Sequence, residues 1–145
     1  MDKEMEEQKE YYEDGELKFE GEYLNRKRWN GKLYNIVGNK IVEIKNGTKM
    51  REYYDNGNKI FEGEYINGVL IGKEYFYFGN ELEFEGEYLD GKRNGKGKEY
   101  YYYNGKLKFE GEYLDGKRHG KGKEYYYNGK LIFEGEYIQG EKVDY

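Results

Sequence analysis

Cysteine and proline are absent from the 145 residues, histidine and tryptophan occur once each, and there are no long apolar runs. Without cysteine there is no disulfide framework, no thiolate metal site and no thiol nucleophile, and nothing marks the redox compartment. The N-terminal segment MDKEMEEQKE lacks the apolar core of a secretory signal, and no stretch approaches membrane-spanning length. Residence in the cytoplasm is the expectation that follows. A formal net charge of −5 argues against nucleic acid as a partner, because releasing counterions from phosphates needs a basic surface.

The composition is 38% charged and 36% hydrophobic, and 20 tyrosines make up much of the hydrophobic share, so aliphatic residues cannot supply an ordinary core. Aromatic rings must do the packing. The string Phe-Glu-Gly-Glu-Tyr begins at Phe19, Phe61, Phe84, Phe109 and Phe133. Its interval is about 24 residues, with one gap near twice that, which is the mark of stacked repeat units. Residues 1–8 read as an acidic tail, and 9–145 as a single array of about six units, degenerate near 40–83. Two copies, 86–110 and 111–134, differ in little more than Asn94 against His119, Lys108 against Ile132 and one tyrosine.

Alternation in Leu107 to Tyr113 puts Leu107, Phe109, Gly111 and Tyr113 on one face and Lys108, Glu110 and Glu112 on the other, a half-buried strand. The tyrosine-rich second half of each unit runs to Asn104-Gly105 or Asn128-Gly129, expected to be two-residue hairpin turns, as are Asp14-Gly15, Asn56-Gly57 and Gly79-Asn80. Longer loops are expected at Asp90–Gly95 and Asp115–Gly120. Short connections impose antiparallel neighbours, so the predicted fold is all-β: tandem hairpins in one long meander of roughly twelve strands, curled or twisted. Gly97 and Gly122 are expected to let neighbouring rings lie on the backbone. The extra tyrosine within Tyr100–Tyr103 predicts a β-bulge, because a one-residue slip would invert both faces.

The segment Gly-Glu-Tyr-Leu-Asp-Gly-Lys-Arg-His-Gly-Lys-Gly at 111–122, with the pairs Gly95/Gly97 and Gly120/Gly122, resembles the core of a MORN repeat. The Tyr-Tyr-x-Asn-Gly-Lys-Leu segments ending at Leu107 and Leu131 look like the MORN variant common in bacterial proteins. The resemblance covers roughly residues 9–140 and departs from the pattern in units two and three, which lack the Gly-x-Gly pair. It implies a rolled sheet of hairpins used for protein scaffolding, self-association or contact with phosphoinositide membranes, and some relatives are antitoxin-like.

No catalytic constellation is legible, and no cofactor or metal site is expected. His119 stands where the neighbouring copy has Asn94 and reads as a loop residue. Glu110 and Glu112, repeated as Glu134 and Glu136, read as a solvated strand face opposite lysines such as Lys96 and Lys98. Gly91–Lys98 fails as a phosphate loop, having no Ser or Thr after the lysine and no following helix. Two surfaces remain as candidates. Stacked basic loops would align Arg26–Arg28, Lys92, Arg93, Lys96, Lys117, Arg118 and Lys121 for an anion or lipid headgroup. Tyr100, Tyr101, Tyr102, Tyr125 and Tyr126 would offer an aromatic surface to a protein. The expected function is a non-enzymatic interaction scaffold, self-associating or binding a protein. The alternatives are a peripheral module on anionic phospholipid and an antitoxin-like partner-binding protein.

Overall fold

Two kinds of turn divide the chain into strands, a tight pair with both residues left-handed and a longer loop in which only the glycine is, and Asp-Gly and Asn-Gly each occur in both. The computed structural model describes residues 5–35, 40–54, 56–77 and 81–143. These form thirteen strands and no helix, in two compact units. The first, Met1–Glu64, holds β1 (Glu6–Tyr11), β2 (Leu17–Leu24), β3 (Lys27–Asn35), β4 (Lys40–Lys45), β5 (Lys49–Tyr54) and all but the end of β6 (Lys59–Ile66). The second, Tyr65–Tyr145, holds β7 (Val69–Tyr75), β8 (Leu82–Leu89), β9 (Lys92–Tyr100), β10 (Leu107–Leu114), β11 (Lys117–Tyr125), β12 (Leu131–Ile138) and β13 (Glu141–Lys142). Within each unit every strand pairs antiparallel with the next in sequence, so the all-β hairpin meander is as expected. Glu6, Glu7 and Gln8, read from sequence as part of the tail, lie in β1 opposite Tyr23, Glu22 and Gly21.

At Asp90-Gly91 and Asp115-Gly116 both residues are left-handed, with φ of 50° and 79° and of 49° and 88°. That is the tight two-residue turn whose twist matches a hairpin. The six-residue loops expected at Asp90–Gly95 and Asp115–Gly120 are therefore corrected: β9 and β11 start at Lys92 and Lys117, with Leu89 opposite Lys92 and Tyr88 opposite Arg93. Asn94 and Gly95 are absorbed inside the strand, at the register shift between Gly86 and Tyr88. An even number of added residues leaves both faces as they were.

At Asn128-Gly129 only the glycine is left-handed, at φ 94°. The Gly129 N–H donates to the Tyr126 carbonyl at 2.8 Å and the Tyr126 N–H to the Lys130 carbonyl at 2.7 Å, which closes a three-residue loop rather than the expected two-residue turn. The Asn128 side chain stabilises it by accepting the Lys130 N–H at 3.0 Å. Asp14, Asn56 and Asn104 make the same contact. The Gly79-Asn80 turn lies outside the described residues. The extra tyrosine does not create a bulge; it enlarges the loop, in which Gly105 N–H reaches back to the Tyr101 carbonyl and Tyr103 stands 83% exposed. The register shift between Leu107 and Phe109 has a counterpart at Glu124/Tyr125, where no tyrosine is added. Lengthening a loop costs no ladder hydrogen bonds, and an added bulge would.

The predicted faces hold. Phe19, Phe84 and Phe109 are fully buried and Tyr88, Tyr113 and Tyr137 nearly so. Beneath these rings runs a row of mutually opposite glycines, Gly72, Gly86, Gly97, Gly111, Gly122 and Gly135, one per strand from β7 to β12. A Cβ on Gly97 would come within 2.5 Å of the Phe84 ring, and one on Gly122 within 2.6 Å of the Phe109 ring. The rings thus lie on bare backbone, as expected. In the first unit the row is interrupted: Gly21 faces Gly31, then come Ile44 and Met50 before Gly63.

On the opposite face the charges alternate from strand to strand. In the first unit the row is Lys9, Glu20, Lys32, Glu43, Arg51 and Glu62. In the second it is Lys73, Glu85, Lys98, Glu110, Lys123 and Glu134. Every charge is flanked by its opposite. Exposed pairs of this kind contribute only about 0.2–1 kcal/mol each, and their larger effect is on register, since a slipped strand would bring like charges together.

Candidate functional site

The two arginines proposed from sequence as anion-binding loop residues are strand residues committed to the aromatic face. Arg118 lies over the Phe109 ring, its guanidinium carbon 4.1 Å from the centroid, and donates from Nε to Glu99 at 2.8 Å and from Nη1 to Glu124 at 3.2 Å. Arg93 repeats this over Phe84 at 4.1 Å, bound to Glu74. In the first unit Arg28 lies over Phe19 at 5.1 Å and donates twice to Glu10 at 2.9 Å. Each site also has a tyrosine: Tyr113 donates its hydroxyl to Glu99 at 2.6 Å and Tyr23 to Glu10. The recurring unit is thus Phe, Tyr, Arg and Glu drawn from three strands.

The electrostatics follow from this packing. Arg28 holds the Glu10 carboxyl down at about 2, against the opposing effect of burial and with help from Tyr23. At Glu99 burial pushes upward, but hydrogen bonds from Arg118 and Tyr113 outweigh it and keep the carboxyl below its ordinary value. Burial first, and the bond to Glu99 second, push the Tyr113 phenol up. All three carboxylate–arginine pairs are structural, and their arginines have little left to offer an external anion.

The lysines differ. Lys92, Lys96, Lys117 and Lys121 are exposed. Lys92 and Lys117 sit opposite Leu89 and Leu114, residues that are 58% and 47% exposed at the same edge of the sheet. Lys96 and Lys121 face Glu112 and Glu136 across the strands. In the first unit, Asn25 and Arg26 form the left-handed turn and Lys27 begins β3. Glu112 does more than solvate its face. It accepts the Lys121 backbone N–H at 2.8 Å, just after the left-handed Gly120, and Glu87 does the same for Lys96 after Gly95.

The tyrosines also divide. Tyr100 and Tyr125 belong to the charged face, donating to Glu85 at 2.5 Å and Glu110 at 2.8 Å. Tyr101 donates to the Tyr125 carbonyl at 2.8 Å and packs edge-on against Tyr127 at 5.6 Å. Tyr102 lies between Phe76 and Tyr103 at 5.1 and 5.0 Å. Asn104 donates to the Tyr127 carbonyl at 3.0 Å, tying one loop to the next. Among the described tyrosines the exposed ones are Tyr11 at 58%, Tyr65 at 48%, Tyr77 at 55%, Tyr103 at 83%, Tyr126 at 52% and Tyr127 at 53%. Of the five tyrosines proposed from sequence, only Tyr126 is among them. Tyr103 and Tyr127 were missed, although their places next to Asn104 and Asn128 already marked them as loop tips.

His119 accepts the Gln139 backbone N–H at its Nδ1 at 3.3 Å, and the Asn30 side chain accepts that of Asn46 at 2.9 Å, so this strand position is tied to the turn that follows the next strand. Among the described residues no group of three or more histidines, aspartates or glutamates is placed to hold a metal ion, and no helix is long and apolar enough to cross a membrane.

Fold and site together define a tandem β-hairpin repeat protein whose recurring polar residues serve the repeat itself. The MORN repeat family model matches residues 84–106 and 109–130, and the model of the MORN repeat variant matches residues 7–25 and 48–67. Together they cover more than half of the chain, which belongs to the MORN-repeat family. The first model's matches enclose the Asp90-Gly91 and Asp115-Gly116 turns and the variant's enclose Asp14-Gly15 and Asn56-Gly57, half a repeat out of phase. No curated protein matches the chain.

Proposed function

We propose that the chain is a non-catalytic interaction scaffold that presents the loop edge of its second unit, Tyr103, Tyr126 and Tyr127 with Tyr77, to a protein partner, a role compatible with residence in the cytoplasm. The observation that carries this reading is the combination of exposure and rigidity. These rings are more than half exposed, yet Tyr101, Tyr102 and Asn104 brace the loops against one another. Pre-ordered aromatic rings bind with little entropy loss and are frequent interface anchors. With Tyr103 and Tyr127 replaced by serine, partner captured from the native source is expected to fall by at least about tenfold, while stability falls by no more than about 1.5 kcal/mol per site, the worth of one ring pair. Undiminished capture by this variant would refute the assignment.

A second reading has its own observation: Leu89 and Leu114 stand exposed beside Lys92 and Lys117, an apolar and cationic edge suited to an anionic bilayer surface. Flotation with phosphoinositide-containing vesicles is expected to be lost in Lys92→Glu/Lys117→Glu and kept in Arg93→Gln. Flotation equally strong with both lysines reversed would end this reading.

A further inference from the structure

Three loops of the second unit share one construction. Phe76, Tyr101 and Tyr126 each donate their backbone N–H across the loop, to the carbonyls of Glu81, Lys106 and Lys130, at 2.8, 2.9 and 2.7 Å. Each loop carries an exposed tyrosine, Tyr77, Tyr103 or Tyr127, and closes on an exposed charged residue, Glu81, Lys106 or Lys130. The loops are also held to one another. Phe76 meets the Tyr102 ring at 5.1 Å, Tyr101 meets Tyr127 at 5.6 Å, and the Asn104 amide donates to the Tyr127 carbonyl at 3.0 Å.

The sheet sets their spacing. The loops follow β7, β9 and β11, so they recur at every second strand. Neighbouring strands lie about 4.7–4.9 Å apart, which puts successive tyrosine loops about 9.4–9.8 Å apart. A ligand that engages all three must present like groups at that interval along one side. An extended β-strand repeats its face about every 6.6 Å and is out of step at the second loop. An α-helix returns to nearly the same face after seven residues, about 10.5 Å, and is about 2 Å out by the third loop. Polyproline II repeats every three residues, about 9.3 Å, and stays within about 1 Å over all three.

The chemistry of the surface suits the same conformation. A polyproline II backbone makes no internal hydrogen bonds, so its carbonyls are open to phenolic hydroxyl donors, and its proline rings pack on aromatic side chains. Such a segment is already extended before it binds, and the loops are already braced, so little conformational entropy is lost on either side. The charges at the closing positions add a second pattern with the same interval: acidic at Glu81, basic at Lys106 and Lys130. That order reads differently in the two directions.

We propose that the loop edge of the second unit binds a proline-rich segment in the polyproline II conformation, one turn to each of Tyr77, Tyr103 and Tyr127. Acidic residues of the segment lie against Lys106 and Lys130 and a basic one against Glu81, which fixes its direction along the edge. This rests on the scaffold reading above and names the chemistry of its partner.

The probes are fluorescein-labelled peptides of about nine residues, three turns of Pro-Pro-x with glutamate at x in two adjacent turns and lysine in the third, made in both charge orders. Anisotropy titration with the full chain is expected to show one order binding about tenfold more tightly than the other, and glycine in place of the prolines weakening it at least about tenfold. Tyr103→Ser/Tyr127→Ser is expected to weaken it by a similar factor. Lys106→Glu/Lys130→Glu keeps the loops intact, since their closing bonds use the main chain of these residues. That variant is expected to lose the glutamate peptide and to bind one with lysine at the same two places, an exchange that a merely structural role would not produce. Equal binding of the proline and glycine peptides, or no binding up to about 1 mM, overturns the proposal. If the peptides fail while capture from the native source still falls in Tyr103→Ser/Tyr127→Ser, the polyproline assignment is overturned and the scaffold reading stands.

Discussion

Replacing Phe109 by alanine is expected to destabilise the second unit by about 3–5 kcal/mol, the range for truncating a buried aromatic ring. The ring is fully buried and is the centre of its repeat. Tyr113 and Tyr137 meet it edge-to-face at centroid distances of 5.6 and 5.2 Å, the Arg118 guanidinium lies over it, and the backbones of Gly111 and Gly122 lie beneath it. Each aromatic pair adds about 0.5–1.5 kcal/mol beyond area burial, and the stacked cation a further contribution of about 1 kcal/mol. The void would not refill easily, because the glycines beneath have no side chains with which to collapse into it. Glu110→Ala, one residue along but on the charged face, removes an acceptor from Tyr125 and is expected to cost less than about 1.5 kcal/mol. Urea titrations of both variants check the comparison. Equal losses would mean that the two faces do not differ as the burial indicates.

Phe109 was legible because alternation in a strand depends only on local sequence. The glycine row was half legible: Gly97 and Gly122 stood out within their own units, but their alignment with Gly86, Gly111 and Gly135 is a property of strand register. The roles of Arg93 and Arg118 were hidden by the turns. With Asp90–Gly95 taken as a loop, a lysine–arginine pair in it reads as solvated charge. Once Asp90-Gly91 is the whole turn, Arg93 falls opposite Tyr88 and shares its face. The signal was present in Leu-Asp-Gly-Lys, since Asp-Gly suits the left-handed pair of a two-residue turn as well as Asn-Gly does. The ion-pair partners Glu74 and Glu99 come from a strand two places away, and nothing in local sequence marks such a pairing. Tyr100 and Tyr125 were assigned to an interface because adjacent tyrosines must point to opposite faces, and parity alone does not say that carboxylates wait on one of them.

Glu99→Gln is expected to destabilise the protein by about 3 kcal/mol at neutral pH, the lower end of the range for breaking a mostly buried ion pair. Glu99 and Arg118 are only 18% and 17% exposed, so the unpaired guanidinium cannot turn fully to water. Its remaining contact with Glu124 at 3.2 Å keeps the loss from being larger. The Tyr113 hydroxyl keeps an acceptor in the glutamine oxygen, which separates loss of charge from loss of a hydrogen bond. The pH dependence provides a sharper test. Glu99 is held below its ordinary value of 4.5 in the folded state, so the unfolded chain binds its proton first as the pH falls. The stability from the pair is therefore fully present above the unfolded pKa and is lost as the pH drops through the folded one. The difference between wild type and Glu99→Gln should be constant from neutral pH to about 5 and shrink below that. Glu10, held at about 2 by Arg28, should add a loss of the same sign in the first unit, reduced by solvent screening at its 30% exposure. Chemical denaturation from pH 7 to pH 2 measures both. A difference between wild type and variant that does not change with pH would show that Glu99 acts on Arg118 as a hydrogen-bond acceptor and not through its charge.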